Sequence, residues 1–571
     1  MMRHRWATVA AVVMAMAAAG CTTTSAGTGG SGAVSDKLAA NQELRFPIIA
    51  DISTLDPALV QSVQDESMVE EVFGGLYKFD DQLQEVPYIA TGMPDITANG
   101  LTYTFHLRHD AKFSNGDPVT SADVLYSWNR AARLNGQNGF IFRPIVGYSA
   151  VVPPAGKKAS ATTMSGLTAP DPYTVVAHLT APASYFVSEL AISPAFIVDQ
   201  KEITGDQDHT WSTNPATAIG TGPFKLTDYV PNNHIAFANV QNWWDGSTGH
   251  LTKVVVSVVA SSSSQVTEYL SGALDEIGPA NTRPPLDAVL HFLATPSLRG
   301  QIFSTPGGST TWLGFNMHAG PFAPDPKTGI SDPISRAGRL AFSLSINRNE
   351  LVNLVCGQGG QTCKPGTGGV IPKGLEGYLG DGKDTSAGFN PAQARKDLAI
   401  WDPTGTKRKN LTYWYYAQDI TQTVAQNLQA QWQQNLGIHV AVQAVDFTTY
   451  LATLETKTRY MLFADFTQAF YNSPQEWFDS QFVCSQDGPG LGNLDGFCDP
   501  KIDKLVALAQ TQSGSQAIAT FQQANALMVQ DATFAILYYA ANQYFIKPYV
   551  KGAGGNALND YPWTGISIMA H

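Results

Sequence analysis

Charged side chains are scarce in this sequence, and basic ones are scarcer than acidic ones. Of 571 residues, 35 are Lys or Arg and 47 are Asp or Glu, so the net charge is −12 and only 14% of residues are charged. A nucleic-acid surface needs a clustered excess of basic side chains, so this class of partner is excluded. Apolar residues make up 44% of the chain, which at this length predicts about three or four folding units with buried cores. Disordered, collagen-like and coiled-coil proteins are excluded as well.

Motifs of common hydrolases and nucleotide-binding enzymes are also missing. The sequence contains neither GxSxG nor HExxH. Residues 27–32 match GxGxxG, but no strand precedes them and no helix pattern follows. Residues 377–384 nearly match a phosphate-binding loop, yet Asp384 stands where Ser or Thr would hold magnesium. We therefore expect no enzyme, no cofactor and no metal site.

The apolar run near the N-terminus, residues 7–19, is too short to span a bilayer but suits the core of a signal peptide. It follows basic residues and ends at Ala18-Ala19-Gly20-Cys21, which resembles the lipobox of bacterial lipoproteins. We expect a signal peptide at 1–20, lipidation of Cys21, and a flexible tether at 21–40 that holds an exported body on the extracytoplasmic side of the membrane. An ordinary signal peptide with an unmodified Cys21 is the alternative.

Five cysteines are present, and lipidation of Cys21 would leave four in an exported chain, where disulfides persist. Of the three possible pairings we favour Cys356 with Cys363 and Cys484 with Cys498, because these close the shortest loops. Zinc is the competing interpretation, but neither pair has the usual ligand spacing and no histidine cluster accompanies them.

Strand and helix patterns interleave through both halves of the chain. Alternation of apolar and polar residues predicts two strands. The first contains Leu101, Tyr103, Phe105 and Leu107, and the second contains Tyr173, Val175, Ala177 and Leu179. Residues 254–259 predict a strand buried on both faces. Thr120 and Asp123 predict a capped helix start. A four-residue apolar step predicts a helix that contains Val424, Leu428, Trp432 and Leu436 and ends at Gly437. A further strand, with Ile438, Val440 and Val442, is predicted to follow it. The sequence therefore predicts a mixed α/β protein with two large lobes.

Several sequence blocks stand in a recognisable order along the chain. The longest is YTFHLRHDAKFSNGDPVTSADVLYSWNR at residues 103–130. Others are LDPALV (55–60), GTGPFKLTDYVPNN (220–233), YLSGALDE (269–276), LGFNMHAGPF (313–322), RLAFSLSINRNELV (339–352), NLGIHVAV (435–442) and AILYYAANQYFIKPYVKG (535–552). Together these blocks resemble the peptide-class solute-binding proteins of ABC importers, known as family 5, and the resemblance covers nearly everything after the tether.

The resemblance implies a hinged two-lobe receptor that clamps an extended peptide and delivers it to a membrane permease. Lobe I would comprise residues 41–73, 178–306 and 538–571, a small subdomain residues 74–177, and lobe II residues 307–537. Ligand would shift the equilibrium toward the closed form by contacting both lobes at once. We expect a monomer with a peptide or another small solute as its ligand.

The resemblance also places ligand-binding residues. Main-chain pairing with the ligand would use Gln61, Ser62 and Val63 in lobe I and Phe466, Thr467 and Gln468 in lobe II. Pockets for side chains would be lined by Tyr416, Gln418, Tyr538 and Tyr539.

One position departs from the family. Peptide binders carry an aspartate, in a stretch like Ala-Asp-Tyr-x-x-Pro, that pairs with the ligand's free amine. Here the string is Ala469-Phe470-Tyr471-Asn472-Ser473-Pro474, so Phe470 replaces the acid. Either another acid substitutes, with Asp465, Glu476 and Asp479 the nearest in sequence, or the ligand presents no free amine there. An alignment shifted by a few residues is the remaining alternative.

Three functions follow from these observations. The first is an oligopeptide receptor that feeds an ABC permease. The second keeps the scaffold but changes the solute to a modified or amine-blocked peptide, a nickel chelate, an opine or an oligosaccharide. The third is an exported peptidase on an unfamiliar scaffold.

Overall fold

The computed structural model describes residues 36–571 except 98, 137, 155, 204–208, 247, 281, 328, 456–460, 487–491 and 559–560. The predicted signal peptide, Cys21 and most of the tether lie outside the described residues. Within them, no helix is both long enough and apolar enough to cross a membrane.

Strands and helices are interspersed along the chain. In chain order they are β1 Glu43–Ile48, β2 Tyr77–Phe79, β3 Glu85–Pro87, β4 Asp95–Ile96, β5 Thr102–His106, β6 Leu167–Asp171, β7 Thr174–His178, β8 Phe224–Val230, β9 His234–Asn239, β10 Lys253–Val258, β11 Glu276–Ile277, β12 Ile302–Phe315, β13 Cys363–Pro365, β14 Thr412–Tyr416, β15 Ala441–Val445, β16 Leu462–Gln468, β17 Ala535–Ile546, β18 Val550–Lys551 and β19 Ser567–Ile568.

The α-helices, also numbered in chain order, are α1 Val63–Val72, α2 Ser121–Leu134, α3 Tyr148–Val151, α4 Phe186–Glu189, α5 Ser262–Ser271, α6 Leu286–Ala294, α7 Pro296–Arg299, α8 Pro333–Leu344, α9 Arg348–Val355, α10 Pro391–Trp401, α11 Asp419–Leu436, α12 Phe447–Glu455, α13 Pro474–Trp477, α14 Pro500–Gln510 and α15 Gly514–Gln530.

Local sequence explains the start and end of the best-predicted helices. The backbone N–H and the hydroxyl of Thr120 both donate to the Asp123 carboxylate, 2.8 and 2.7 Å away, and α2 begins at the next residue. Helix α11 ends where Gly437 adopts φ 68°, a conformation that glycine takes without strain. The apolar residues predicted for this helix are buried, which confirms the pattern of Val424, Leu428, Trp432 and Leu436.

The strands form three larger sheets, each covered by its own core. One has the order β1-β10-β9-β8, with β1 and β10 parallel; a second, antiparallel sheet has the order β4-β5-β7-β6. The third has seven strands in the order β11-β17-β12-β16-β14-β15, with β13 added beside β17. Its two faces support different cores, because Leu313 and Leu537 join one cluster while their neighbours Trp312 and Ile536 join another.

Two long strands, β12 and β17, connect distant parts of the molecule. At one end Ile302 pairs with Phe545, whose ring stacks on Phe292 of α6 with ring centroids 3.9 Å apart. At the other end Leu313 pairs with Ala535 within the seven-stranded sheet. The register shifts between Pro306 and Thr310, so the ladder is interrupted near its middle.

Two details of the predicted strands are wrong. Strand β10 is not buried on both faces: Val254 and Val256 are fully buried, whereas the residues between and after them are half-buried, because only one face of this sheet packs on the core. Strand β15 begins at Ala441, so Ile438 and Val440 lie before the strand, where both side chains are buried.

Candidate functional site

A cavity of about 780 Å³ opens beside the seven-stranded sheet. Its lining combines residues from β12, β14, β16 and β17 with the segment that leads into α6. This volume lies within the roughly 300–1,000 Å³ typical of ligand sites. Five of the residues predicted to bind ligand line it: Tyr416, Gln418, Phe466, Gln468 and Tyr538.

Strand β16 presents an unpaired stretch to this cavity. It pairs with β12 along its length, from Phe315 opposite Leu462 to Ser309 opposite Gln468. On its other side β14 pairs with it only at Leu462 and Phe463. Among the described residues no strand therefore covers that side of residues 464–468. Two backbone groups of the stretch are already bonded: Ala464 O accepts from the Tyr450 hydroxyl, and the Phe466 N–H donates to the Asp465 carboxylate at 2.8 Å. The remaining outward-facing backbone groups can pair with an added strand.

Side chains alternate along this stretch as they do in any strand. Phe466 and Gln468 line the cavity, while Thr467 lies between them and its hydroxyl accepts a hydrogen bond from Gln481 Nε2 at 2.7 Å. Thr467 is therefore not among the described lining residues of the cavity, and its side chain is used in a protein contact.

Aromatic rings form one wall of the cavity. Tyr416 packs edge-on against Phe447, with ring centroids 5.5 Å apart, and contacts Phe466 at 5.9 Å. Burial raises the pKa of Tyr416 to about 12, and burial also raises the pKa of Tyr538. Both phenols are therefore neutral at physiological pH and offer hydroxyl groups that donate or accept hydrogen bonds.

Tyr539 lies apart from the other predicted ligand residues. Its hydroxyl donates to Gly369 O at 2.5 Å and accepts from Gly368 N at 2.9 Å. The ring lines a separate cavity of about 580 Å³, not the cavity that contains Tyr538. This separation follows from the alternation of neighbouring side chains along β17.

A second, smaller pocket of about 40 Å³ joins the other predicted residues across the molecule. Its lining includes Gln61, Ser62 and Val63 on one side and Ala469 and Phe470 on the other. The Ser62 hydroxyl accepts from the backbone N–H of Asp65 and caps α1, so the extended backbone ends at Ser62 and Val63 begins the helix. The Phe470 ring is 41% exposed beside this pocket.

The three acids nearest to Phe470 in sequence do not line this pocket. Glu476 instead accepts the backbone N–H groups of Phe470 and Tyr471 at 2.7 and 3.2 Å, and burial raises its pKa to about 8. Asp479 accepts hydrogen bonds from the side-chain amides of Gln475 and Gln510, and burial raises its pKa to about 6. Burial likewise raises the pKa of Asp465 to about 7.

Two other acids, Glu66 and Glu70 of α1, do line the small pocket. Glu66 accepts from the backbone N–H and the hydroxyl of Ser193, at 3.0 and 2.6 Å. Sequence reasoning missed both acids because they lie about 400 positions from Phe470. Their four-residue spacing on one helix face was the available signal.

Both predicted disulfides are formed, Cys356–Cys363 and Cys484–Cys498. The first lines the large cavity and is buried, with its cysteines 1% and 2% exposed. In the described part of the chain, no cluster of three or more His, Cys, Asp or Glu side chains is arranged to hold a metal ion.

Comparisons with known proteins agree with this arrangement. Residues 84–489 match the family described as bacterial extracellular solute-binding proteins, family 5 Middle. The periplasmic murein peptide-binding protein MppA of Escherichia coli is 26% identical over 545 residues, covering 92% of this chain and 93% of MppA. The unliganded open form of MppA aligns with a TM-score of 0.77 at 25% identity, covering 94% of this chain and 99% of that one.

Two further relatives from Escherichia coli differ in the ligand that their names specify. The periplasmic oligopeptide-binding protein OppA is 25% identical over 531 residues, covering 91% of this chain and 92% of OppA. The probable deoxycholate-binding periplasmic protein YgiS is 26% identical over 544 residues, covering 94% and 95%. The protein thus has the two-lobe α/β fold of periplasmic binding proteins and belongs to family 5 of the bacterial extracellular solute-binding proteins.

Proposed function

We propose that this protein captures oligopeptides between its lobes on the extracytoplasmic side of the membrane and delivers them to an ABC-type permease. The observation that carries the proposal is the unpaired stretch of β16 at residues 464–468, which borders a cavity of about 780 Å³. An extended peptide can add to such a stretch through main-chain hydrogen bonds, which do not depend on the ligand's sequence. Relatives named for murein peptides and oligopeptides support this ligand class.

The lobe boundaries belong to the same proposal. Residues 41–73, 178–306 and 538–571 form lobe I, 74–177 the small subdomain, and 307–537 lobe II. The register shift between Pro306 and Thr310 supports a boundary at 306, because an interrupted ladder can bend. Closure around a ligand that contacts both lobes would then report occupancy to the permease.

Membrane attachment is proposed through a lipid on Cys21, after removal of residues 1–20. The tether at 21–40 is rich in small and polar residues and gives the binding protein reach toward its permease. The working unit is proposed to be a monomer without enzyme activity.

Retention of peptides tests the ligand class directly. The purified protein is incubated with a mixed peptide library, washed and analysed by native mass spectrometry. Intact retained peptides are expected; cleaved products would indicate a peptidase, and no retained peptide would refute the proposal. Tyr416→Ala should lower retention at least about tenfold through loss of the cavity wall. Tyr173→Ala, which removes a ring stacked on His109 beside the sheet of β5 and β7 and outside the lining of this cavity, should not.

A ligand without a free amine near Phe470 is the second candidate, and the apolar ring at this position favours it. A relative named as a probable deoxycholate-binding protein supports this candidate, because deoxycholate is not a peptide. Phe470→Asp should tighten the binding of free-amine peptides at least about tenfold, because a carboxylate would then face the ammonium. Phe470→Ala separates the loss of the ring from the gain of charge. Unchanged affinity in calorimetry for Phe470→Asp would remove this candidate.

A further inference from the structure

The charge of the residues that line the large cavity has the opposite sign to the net charge of the whole chain. The protein carries twelve more acidic than basic side chains. Yet among the described residues that line the cavity, Arg283 is the one Lys, Arg, Asp or Glu side chain. The other polar lining groups are hydroxyl, phenol and amide groups, for example Thr311, Tyr416 and Gln543. The described wall of the cavity is therefore basic although the protein is acidic.

Arg283 combines access to the cavity with close protein surroundings. Its side chain is exposed. The protein around it nevertheless lowers the pKa of the guanidinium by desolvation, against the opposing effects of Tyr538 and Tyr544. A guanidinium in a cleft loses part of its hydration, which a ligand anion can replace. Because it carries five N–H donors, it can bind a ligand carboxylate beside any protein group that it contacts.

The backbone around Arg283 is held firmly in place. The buried Thr282 donates its hydroxyl to Pro47 O at 3.0 Å and its N–H to Pro279 O at 3.1 Å. Pro284 and Pro285 follow, and Pro285 is the residue directly before α6. Proline fixes its own φ and restricts the residue before it, so the guanidinium starts from a rigid base. Such preorganisation lowers the entropy that binding must overcome.

We propose that the cavity selects acidic solutes, with Arg283 as the residue that binds a ligand carboxylate. This inference rests on the proposed function as a solute receptor and deepens it. Arg283 precedes α6, whereas Tyr416 and Phe466, which line the same cavity, belong to β14 and β16. An acidic peptide thus adds its backbone to the stretch at 464–468 and its carboxylate to Arg283. A basic ligand is disfavoured, because the Arg283 cation repels it and the described lining contains no Asp or Glu to attract it.

The carboxylate can come from the C-terminus or from an acidic side chain, and a small designed set separates the two. The probes are N-acetylated tetrapeptides of alanine that carry Glu or Gln at one position and end in a free acid or an amide. Native mass spectrometry measures their competition for the purified protein. Wild type should retain carboxylate-bearing members at least about tenfold over the Gln-amide peptides. The Gln-acid and Glu-amide members show which carboxylate is bound.

Variants at position 283 test the role of the arginine. Arg283→Gln should reduce the preference to within about twofold, through weaker retention of the carboxylate-bearing peptides. Arg283→Lys should keep part of the preference, because it retains the charge but loses the two-pronged geometry. Arg395→Gln is the matched control, since Arg395 lies on α10 and donates to Asn435 O outside the cavity. Absence of a preference in wild type, or its persistence in Arg283→Gln, would overturn the inference.

Failure of the proposed function has a different signature. If wild type retains no peptide of any kind, the peptide proposal fails, and glutarate is compared with glutaramide by calorimetry on wild type and Arg283→Gln. Binding of glutarate that disappears with Arg283→Gln supports carboxylate selection without peptides. Equal binding of the two compounds, or no binding of either, contradicts it.

Discussion

Removing the two disulfides one at a time should separate stability from ligand binding. The loops they close span 7 and 14 residues. With a loop-closure entropy of about −2.1 − 1.5R ln n cal/mol/K, the crosslinks stabilise the folded protein by about 2.4 and about 3 kcal/mol at 25 °C. The double variants Cys356→Ala with Cys363→Ala, and Cys484→Ala with Cys498→Ala, should therefore lose similar amounts of stability.

Their effects on the ligand should differ, because only the first disulfide lines the large cavity. Cys363 begins β13 and pairs with Ala540 of β17, while Cys356 follows the end of α9. The bond thus holds α9 against a strand of the cavity wall, and its loss frees that wall to move. Cys484 and Cys498 are outside the described lining of the cavity.

Denaturant unfolding followed by tryptophan fluorescence measures the first effect, and calorimetry with a retained peptide measures the second. We expect both double variants to unfold at lower denaturant and only the Cys356/Cys363 variant to lose affinity. In thiol titrations mild reductant should open Cys484–Cys498 first, since Cys498 is exposed whereas Cys356 and Cys363 are buried. Equal losses of affinity in the two variants, or unchanged unfolding midpoints, would refute this reasoning.

Three further variants probe contacts around the site. Burial raises the pKa of Glu476 from 4.5 to about 8. The protonated carboxyl therefore stabilises the folded state fully below about pH 4.5, and this stabilisation is lost as the pH rises through about 8. Glu476→Gln should accordingly flatten the fall of the denaturant unfolding midpoint between pH 5 and 9. Leu83 is 3% exposed within the core that also contains Trp312; Leu83→Ala should cost about 2–5 kcal/mol in denaturant unfolding. Asp56→Asn leaves the buried Arg130 guanidinium without its carboxylate and should lower the free energy of unfolding by about 3–5 kcal/mol in the same measurement. The double variant Asp56→Asn with Arg130→Met should lose less stability, because it buries no unpaired charge.

Local patterns were sufficient to predict elements whose causes lie within a few residues. Helix α11 follows from a four-residue apolar step and a glycine that ends it, and both were visible in the sequence. The start of α2 follows from Thr120 and Asp123. The two disulfides follow from short loops, which bring their cysteines together at little entropic cost. In each case the interacting groups are neighbours in the chain.

The sites could be predicted only in part, because their partners are far apart in the sequence. Periodicity gives no register, so it could not show that β12 pairs with both β16 and β17 or that β14 leaves residues 464–468 uncovered. Arg283 gave no signal at all, since a lone arginine before two prolines is an ordinary feature of a loop. The resemblance to a family placed Tyr538 and Tyr539 together, whereas alternation along β17 directs them to different cavities.

The interruption of β12 connects the proposed lobe boundary to the small pocket. Gly307, Gly308 and Ser309 lie between residues that pair with Ala541 and Tyr539, so three residues oppose one on β17. Gly308 O accepts the backbone N–H of Ala469 at 2.9 Å, directly before Phe470. A Cβ at Gly308 would lie 2.8 Å from Ala557 O, so a larger residue would push the backbone segments apart. If the lobes bend at this proposed boundary, the Phe470 side of the pocket would move relative to α1, and the shape of the pocket would then depend on the angle between the lobes.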